Sequence, residues 1–224
     1  MVLRAKSDSS VALNSLCSTY RSPLLVWLRC RGQNASDAED LVQGFFEHML
    51  QSDFLGNVAR EKGRFRTFLL TSFQNHLRDQ HKRAAAQKRG GGLQPLSLEE
   101  TNEEGDLLRE PAARQSGPDE AYDREWAKTL LSGSLRRLKQ ECARTGHEAL
   151  YAALEPVLFA DPDAPAYTTI AGELGMSEAA VKMAAMRTRK RLATIIREEV
   201  MQTVTNEEEL RVELAHLAGL FGKS

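Results

Sequence analysis

Cysteine is scarce and scattered: Cys17, Cys30 and Cys142 are odd in number, far apart, and none belongs to a C-x-x-C pair. A disulfide framework and a zinc site are therefore not indicated, and buried reduced thiols are the simplest reading. The five histidines are equally dispersed. His76 and His81 are five residues apart and do not share a helical face, so no metal site is expected. Glycine and proline are sparse except in two stretches, the pattern of helices joined by short linkers. No apolar run approaches the roughly 20 residues that span a bilayer. The opening residues, MVLRAKSDSS, lack an apolar h-region, so no secretory signal is expected. There is no P-loop, nucleophile elbow, set of paired metal ligands or His–carboxylate cluster at useful spacing. No catalytic residue, cofactor or enzymatic activity is assigned on this sequence.

The 224 residues are 42% hydrophobic and 27% charged, with a net charge of −1, enough to build a core in one large or two small domains. The near-zero total conceals a segregation of charge. Arg60 to Arg89 holds nine basic residues against Glu61 and Asp79, a net of +7. Phe65, Phe68, Leu69, Phe73 and Leu77 recur at the spacing of one long amphipathic helix, with phenylalanines interleaved among the cations. Charge and periodicity fit two readings: a helix that lies beside a polyanion, and a core helix with a solvated basic face.

Upstream, Ser9 to Arg31 is helical in pattern, with Val11, Leu16, Leu24, Leu25, Trp27 and Leu28 as core candidates. Pro23 predicts a break, or a helix whose first turn contains it. Gly32-Gln33-Asn34 reads as a turn. Ser36-Asp37-Ala38-Glu39 then matches a capping box, and Asp37, Glu39 and Asp40 suit the positive end of a helix. Leu41, Val42, Phe45, Phe46, Met49 and Leu50 are that helix's expected core residues. Ser52 to Gly63 reads as a connection with a short helical turn at Phe54 to Val58. Gly90-Gly91-Gly92 ends the basic helix.

From Leu93 to Glu125 ten acids face three arginines, a net of −7, with Pro95, Pro111 and Pro118. This reads as a flexible acidic linker as far as Pro118. It serves solubility, or shields the basic surface when DNA is absent. A second helical domain opens at Pro118-Asp119, with Trp126, Leu130, Leu131, Leu135 and Leu138 at helical spacing and a further helix near Glu148 to Phe159. Asp161 to Pro165 is a rigid turn. Tyr167 to Leu174, the Gly175-Met176 turn, the Ser177 cap and a helix from Glu178 form a helix-turn-helix pattern. Ala179 to Arg197 carries six cations and no acid, which suits a recognition helix in a major groove. The tail beyond Glu198 is acidic and amphipathic through Leu210, Leu214, Leu217, Ala218 and Phe221, the pattern of a last helix docked on its neighbours.

Two basic helical modules joined by an acidic linker resemble a bacterial RNA polymerase sigma factor of the extracytoplasmic-function type, over roughly Ser9 to Arg197. Asp37-Ala38-Glu39-Asp40-Leu41-Val42-Gln43 is similar to the family's D-A-E-D-L-x-Q segment, and Phe65-Arg66-Thr67-Phe68-Leu69 to its F-R-x-W-L, with phenylalanine for tryptophan. Asn75, Asp79 and Lys82-Arg83 fall on its N-x-x-x-D-x-x-R run. Ile170, Ala171, Leu174, Gly175, Ser177, Val181 and Lys182 resemble its I-A-x-x-L-G-x-S-x-x-x-V-K. Ala184 stands where the family commonly has arginine, between Met183 and Met186, which points to an unusual preferred promoter. Leu154 to Phe159 departs from the family's usual L-P-x-x-x-R.

The resemblance implies an all-α fold with a region 2-like domain (1–90), an acidic linker (91–118), a region 4-like domain (119–197) and an acidic helical extension (198–224). It implies that Asp37, Glu39, Asp40 and Gln43 bind core polymerase, whose largest-subunit coiled coil and flap region are the docking points. It assigns Arg64, Phe65, Arg66, Asn75, Arg78, Asp79, Lys82 and Arg83 to the minus-ten element. Ser177, Lys182, Met186, Arg187, Arg189 and Lys190 go to the minus-thirty-five element. Promoter DNA, core polymerase and an anti-sigma factor are the implied partners, in a bacterial cytoplasm. A stand-alone helix-turn-helix regulator is the rival reading, and an autoinhibitory tail is a further expectation.

Overall fold

The computed structural model describes residues 9–51, 64–89, 117–159 and 163–221, and their side chains except at 9–16 and 84–89. Among the described residues the chain is all helical, without a strand. The helices are α1 (Ser9–Cys30), α2 (Ala35–Gln51), α3 (Phe65–Arg89), α4 (Pro118–Arg144), α5 (Glu148–Leu154), α6 (Tyr167–Leu174), α7 (Glu178–Met201) and α8 (Glu207–Phe221). A 3-10 turn, Glu155–Val157, follows α5. The expected all-α class is the class of the described residues. None of the described helices is long and apolar enough to cross a membrane. The expected turn at Phe54 to Val58, the glycine run at 90–92, the acidic linker up to Ser116 and the Asp161-Pro162 turn start lie outside the described residues, and the side chains of the core candidates Val11 and Leu16 lie outside the described side chains.

Contacts divide the chain into two compact units, with the boundary between Trp126 and Ala127. In the first, α1 runs through Pro23 without the expected break. An interior proline costs about 3 kcal/mol through its missing N–H and its clash with the preceding turn. Tyr20, Leu24, Leu25, Trp27 and Leu28 are buried around it. At roughly 1.5–3 kcal/mol per large apolar side chain, their burial outweighs the proline. Gly32, at φ 84°, then closes α1: Gln33 N–H donates to the Leu28 carbonyl (3.1 Å) and Gly32 N–H to that of Arg29 (3.0 Å).

The cap of α2 is Asn34, two residues before the expected Ser36. Asn34 Oδ1 accepts from Asp37 N–H (2.9 Å), and Asn34 Nδ2 donates back to Asp37 Oδ2 (2.8 Å). An asparagine satisfies the orphan donor as well as a serine does, so the helix starts where the turn ends. Ala38, Val42, Phe45 and Met49 form the buried stripe of α2. Leu50, expected in the core, is 57% exposed because it falls outside that stripe.

Helix α3 buries Phe65, Leu69, Phe73 and Leu77, one residue per turn, as its pattern requires. Edge-to-face ring contacts join it to its neighbours: Tyr20–Phe65 at 5.3 Å, Trp27–Phe73 at 5.9 Å and Phe45–Phe73 at 5.0 Å. Residues 118–126 of α4 complete the unit. Trp27 Nε1 donates to Asp119 Oδ1 (2.7 Å), and Ser22 Oγ to Glu125 Oε1 (2.6 Å). Tyr122 Oη donates to the Arg66 carbonyl (3.2 Å), while the Arg66 guanidinium pairs with Asp123 and lies 4.9 Å from the Trp126 ring centre.

The second unit has two apolar clusters on opposite stretches of α7. Leu154, Val157, Ile170, Ala171, Val181, Ala184 and Ala185 knit α5, α6 and the start of α7. Leu138, Tyr151, Leu158, Leu192 and Ile195 join α4 and α5 to its later turns. Helix α8 packs on α7, burying Leu210 and Leu217, with Val204 buried in the connection. Asn206 Oδ1 caps it by accepting from Glu209 N–H (2.9 Å), and Glu207 pairs with Arg197 (2.6 Å).

Candidate nucleic-acid interface

The turn between α6 and α7 is made by local chemistry. Gly175 adopts φ +62° and ψ 32°, a left-handed conformation that costs other L-residues about 1–2 kcal/mol. Met176 N–H donates to the Ala171 carbonyl (2.9 Å), which closes α6. Ser177 is extended at φ −75° and ψ 149°, and its Oγ accepts from Ala180 N–H (3.2 Å), which starts α7. Two helices are thus fixed at a sharp turn, with the inner stripe of α7 buried at Val181, Ala184, Ala185 and Leu192.

Residues opposite that stripe face outward. Ala179, Lys182, Met183, Met186, Arg187 and Lys190 are all exposed. The cations of α7 divide into two groups. Arg189 is committed to the fold: its Nε donates to the Leu158 carbonyl (3.1 Å), and its Nη2 to Tyr167 Oη (3.0 Å) and the Val157 carbonyl. Arg191 makes a two-pronged pair with Glu141 (2.7 and 2.8 Å), and Arg197 pairs with Glu207. Among the described residues Lys182 pairs only with the exposed Glu178 at 2.5 Å, a contact worth little in water. Arg187 and Lys190 make no ion pair among the described residues. The outward face therefore carries three cations able to meet phosphates, where the sequence alone counts six.

On α3, Asn75, Arg78, Asp79 and Lys82 share one exposed face, at i, i+3, i+4 and i+7, opposite Leu69, Phe73 and Leu77; Arg83 is exposed beside them. Arg78 Nη1 donates to Asn75 Oδ1 (2.9 Å). At the start of the same helix Phe65 is buried, Arg66 is only 6% exposed and Arg64 is half-buried. The charge of α3 is therefore concentrated toward its C-terminal half. His76, beneath that face, stacks near His48 (centroids 5.1 Å) and contacts Gln80 through Nε2 (2.8 Å). Burial, with the neighbouring His48 and Arg83 charges, pushes its pKa below the usual imidazole value against an opposing pull from Asp79.

The start of α2 presents a third patch. Asp37, Asp40 and Gln43 are exposed, with Gln43 Nε2 donating to Glu47 Oε1 (2.9 Å). Glu39 is half-buried and pairs with Arg21.

Two ionisable groups bind the second unit's elements together. Hydrogen bonds from Arg191 hold the Glu141 carboxyl below its usual range. Burial, reinforced by Glu155, pushes the Tyr151 phenol up to about 12. Among the described residues no group of three or more His, Cys, Asp or Glu could hold a metal ion.

Of the residues expected at an interface, Asp37, Asp40, Gln43, Asn75, Arg78, Asp79, Lys82, Arg83, Ser177, Lys182, Met186, Arg187 and Lys190 are exposed. Phe65 and Arg66 are buried in the first unit, and Arg189 is exposed but has its guanidinium engaged by Val157, Leu158 and Tyr167. Met183 joins the outward face of α7; its position opposite Val181 and Leu192 on a helical wheel is the signal that marks it. No protein-family model, curated protein or solved structure matches this chain.

Proposed function

We propose that this chain is a dissociable sigma subunit of the extracytoplasmic-function type, binding core RNA polymerase and directing it to promoters in the bacterial cytoplasm. The first unit, from α1 to the start of α4, is the core-binding and promoter-opening module. The second is the upstream anchor; the acidic residues from 91 to 117 connect α3 to the start of α4 in the sequence, ahead of the boundary between the units. The polymerase supplies the nucleotidyl chemistry, and the chain has no catalytic residues of its own.

The observation that carries the reading is a division of labour within the resemblance motifs. Their apolar members, Ala38, Val42, Leu69, Ile170, Ala171 and Val181, are in the core. Their polar members Asp37, Asp40, Gln43, Asn75, Asp79, Lys82, Arg83 and Lys182 are exposed, while Arg66 is buried and Glu39 half-buried. Residues that only held helices together would not need that chemistry on the outside. Asp37, Asp40 and Gln43 form an acidic, hydrogen-bonding edge suited to a basic coiled coil. The exposed end of α3 offers cations for a DNA backbone and amide and carboxylate groups for the edges of unpaired bases. The outward face of α7 fits a major groove.

Binding to purified core polymerase tests this directly. The full chain should co-elute with core enzyme, and D37K/D40K should lose that association while keeping its helical content and its DNA contacts. Equal retention of both proteins by core polymerase would remove the acidic edge from the account. Absence of any association, with specific duplex binding by the chain alone, would make it a stand-alone regulator.

A further inference from the structure

Two methionines stand in water on the face of α7 that this reading turns toward DNA. Met183 is 50% exposed and Met186 is 54% exposed. They are three residues apart, so their thioether chains lie side by side. Exposed Ala179 precedes them on the same face, and exposed Lys182, Arg187 and Lys190 border them. An apolar strip bounded by cations needs a partner that is apolar at its centre and anionic at its edges. A purely apolar protein contact would supply the first without the second. A major groove supplies both, because thymine 5-methyl groups project into it between two rows of phosphates.

We infer that Met183 and Met186 are specificity-determining residues that read thymine methyl groups in the upstream promoter element, with Lys182, Arg187 and Lys190 setting the helix on the flanking phosphates. The inference rests on the proposed promoter-binding role of α7. A methionine chain has no hydrogen-bonding demand comparable to that of arginine, so it does not read guanine. It is unbranched and polarisable, and follows the contour of a methyl group in the groove. Apolar contact therefore favours thymine over cytosine at the positions beneath the two side chains.

The test replaces thymine by uracil, which removes the methyl group and leaves base pairing intact. Duplexes would be selected from a random library by the full chain, alone and bound to core polymerase. Each upstream thymine of the selected sequence would then be changed to deoxyuridine. For the wild-type protein we expect about fourfold weaker binding per critical methyl, roughly 0.8 kcal/mol for one buried carbon at about 1.4 kcal/mol per tenfold. M183A and M186A, which place a strong helix former at exposed positions, should bind the thymine duplex about as weakly as wild type binds the uracil duplex. Each should lose sensitivity at one thymine. R187A should weaken all sequences alike and keep the methyl effect.

Uracil substitution without effect, an upstream element lacking thymine, or equal methyl sensitivity in wild type and both methionine variants would overturn the inference. If core polymerase gains no starts from the chain while the free chain shows the methyl effect, the sigma reading falls and the methyl contact stands. New starts without a methyl effect mean the reverse. Failure of the chain to select any duplex in either form rejects both.

Discussion

Arg66 is the most informative side chain to remove, because sequence resemblance places it on DNA and the structure places it in the core. Its side chain is 7% exposed and that of its partner Asp123 is 20% exposed. The guanidinium also lies over Trp126, and its backbone carbonyl accepts from Tyr122. R66A would remove the Asp123 carboxylate's guanidinium partner at a largely buried position, and would remove a cation–π contact. Breaking a fully buried pair costs about 3–5 kcal/mol. Residual solvation of Asp123 and its other interactions lower that, and the ring contact restores roughly 0.5–1 kcal/mol, so about 3 kcal/mol is expected. With a urea slope of roughly 1.5 kcal/mol per molar, the midpoint should fall by about 2 M.

The assay is selective, since the chain's two tryptophans are Trp27 and Trp126, both in the first unit. Tryptophan fluorescence should therefore shift, while ellipticity from the second unit unfolds at its original midpoint. R66K keeps the charge but not the planar face and should lose about 1 kcal/mol, giving a folded variant if R66A is too weak. The R66A/D123A cycle should show a coupling above about 1 kcal/mol. An R66A midpoint within about 0.5 kcal/mol of wild type, combined with loss of promoter opening, would refute the packing argument and make Arg66 a DNA contact.

Three further outcomes follow from the second unit. G175A meets no atom within 4 Å of its new Cβ, so its cost is backbone strain alone, about 1 kcal/mol by thermal unfolding followed by circular dichroism. S177A should lose a similar amount, about 1 kcal/mol, through the orphaned Ala180 N–H, whereas S177D should retain the cap. Glu141 has its carboxyl pKa lowered in the fold, first by hydrogen bonds from Arg191, so its contribution is present above the usual value of 4.5 and is lost as pH falls through the folded value. The acid limb of second-unit stability should therefore be shallower in E141Q, and an identical limb in both proteins would contradict that assignment.

What could be read in advance was local. The Gly175–Ser177 turn, the buried stripe of α3 and the part of the tail helix that docks through Leu210 and Leu217 each follow from residues within a few turns of one another, whereas Ala218 and Phe221, expected on the tail's apolar face, are exposed. The geometry of the first three matches because a left-handed glycine, a serine cap and a helical period need no distant partner. The misplacements have the opposite character. Pro23 is carried inside α1 by the collective burial of Tyr20, Leu24, Leu25, Trp27 and Leu28, which outweighs a local rule. Asn34 displaces Ser36 as the α2 cap because two residues compete for one role and only the turn's path decides. The Trp27–Asp119 and Arg66–Asp123 contacts join residues 92 and 57 positions apart, a separation at which periodicity carries no information. For the same reason six cations on α7 could be counted but not apportioned. Arg189, Arg191 and Arg197 are held by carbonyls and carboxylates from other elements. The proposed polymerase and promoter roles rest on resemblance, because side chains shaped for a partner differ from other surface side chains only in exposure and charge.

The most direct test of the central claim is to map transcript starts made by purified core polymerase on a pool of promoter fragments, with and without this chain. The account predicts discrete new starts that share two upstream elements and disappear with D37K/D40K. Starts unchanged by the chain, while core polymerase remains active with another initiation factor, would contradict it.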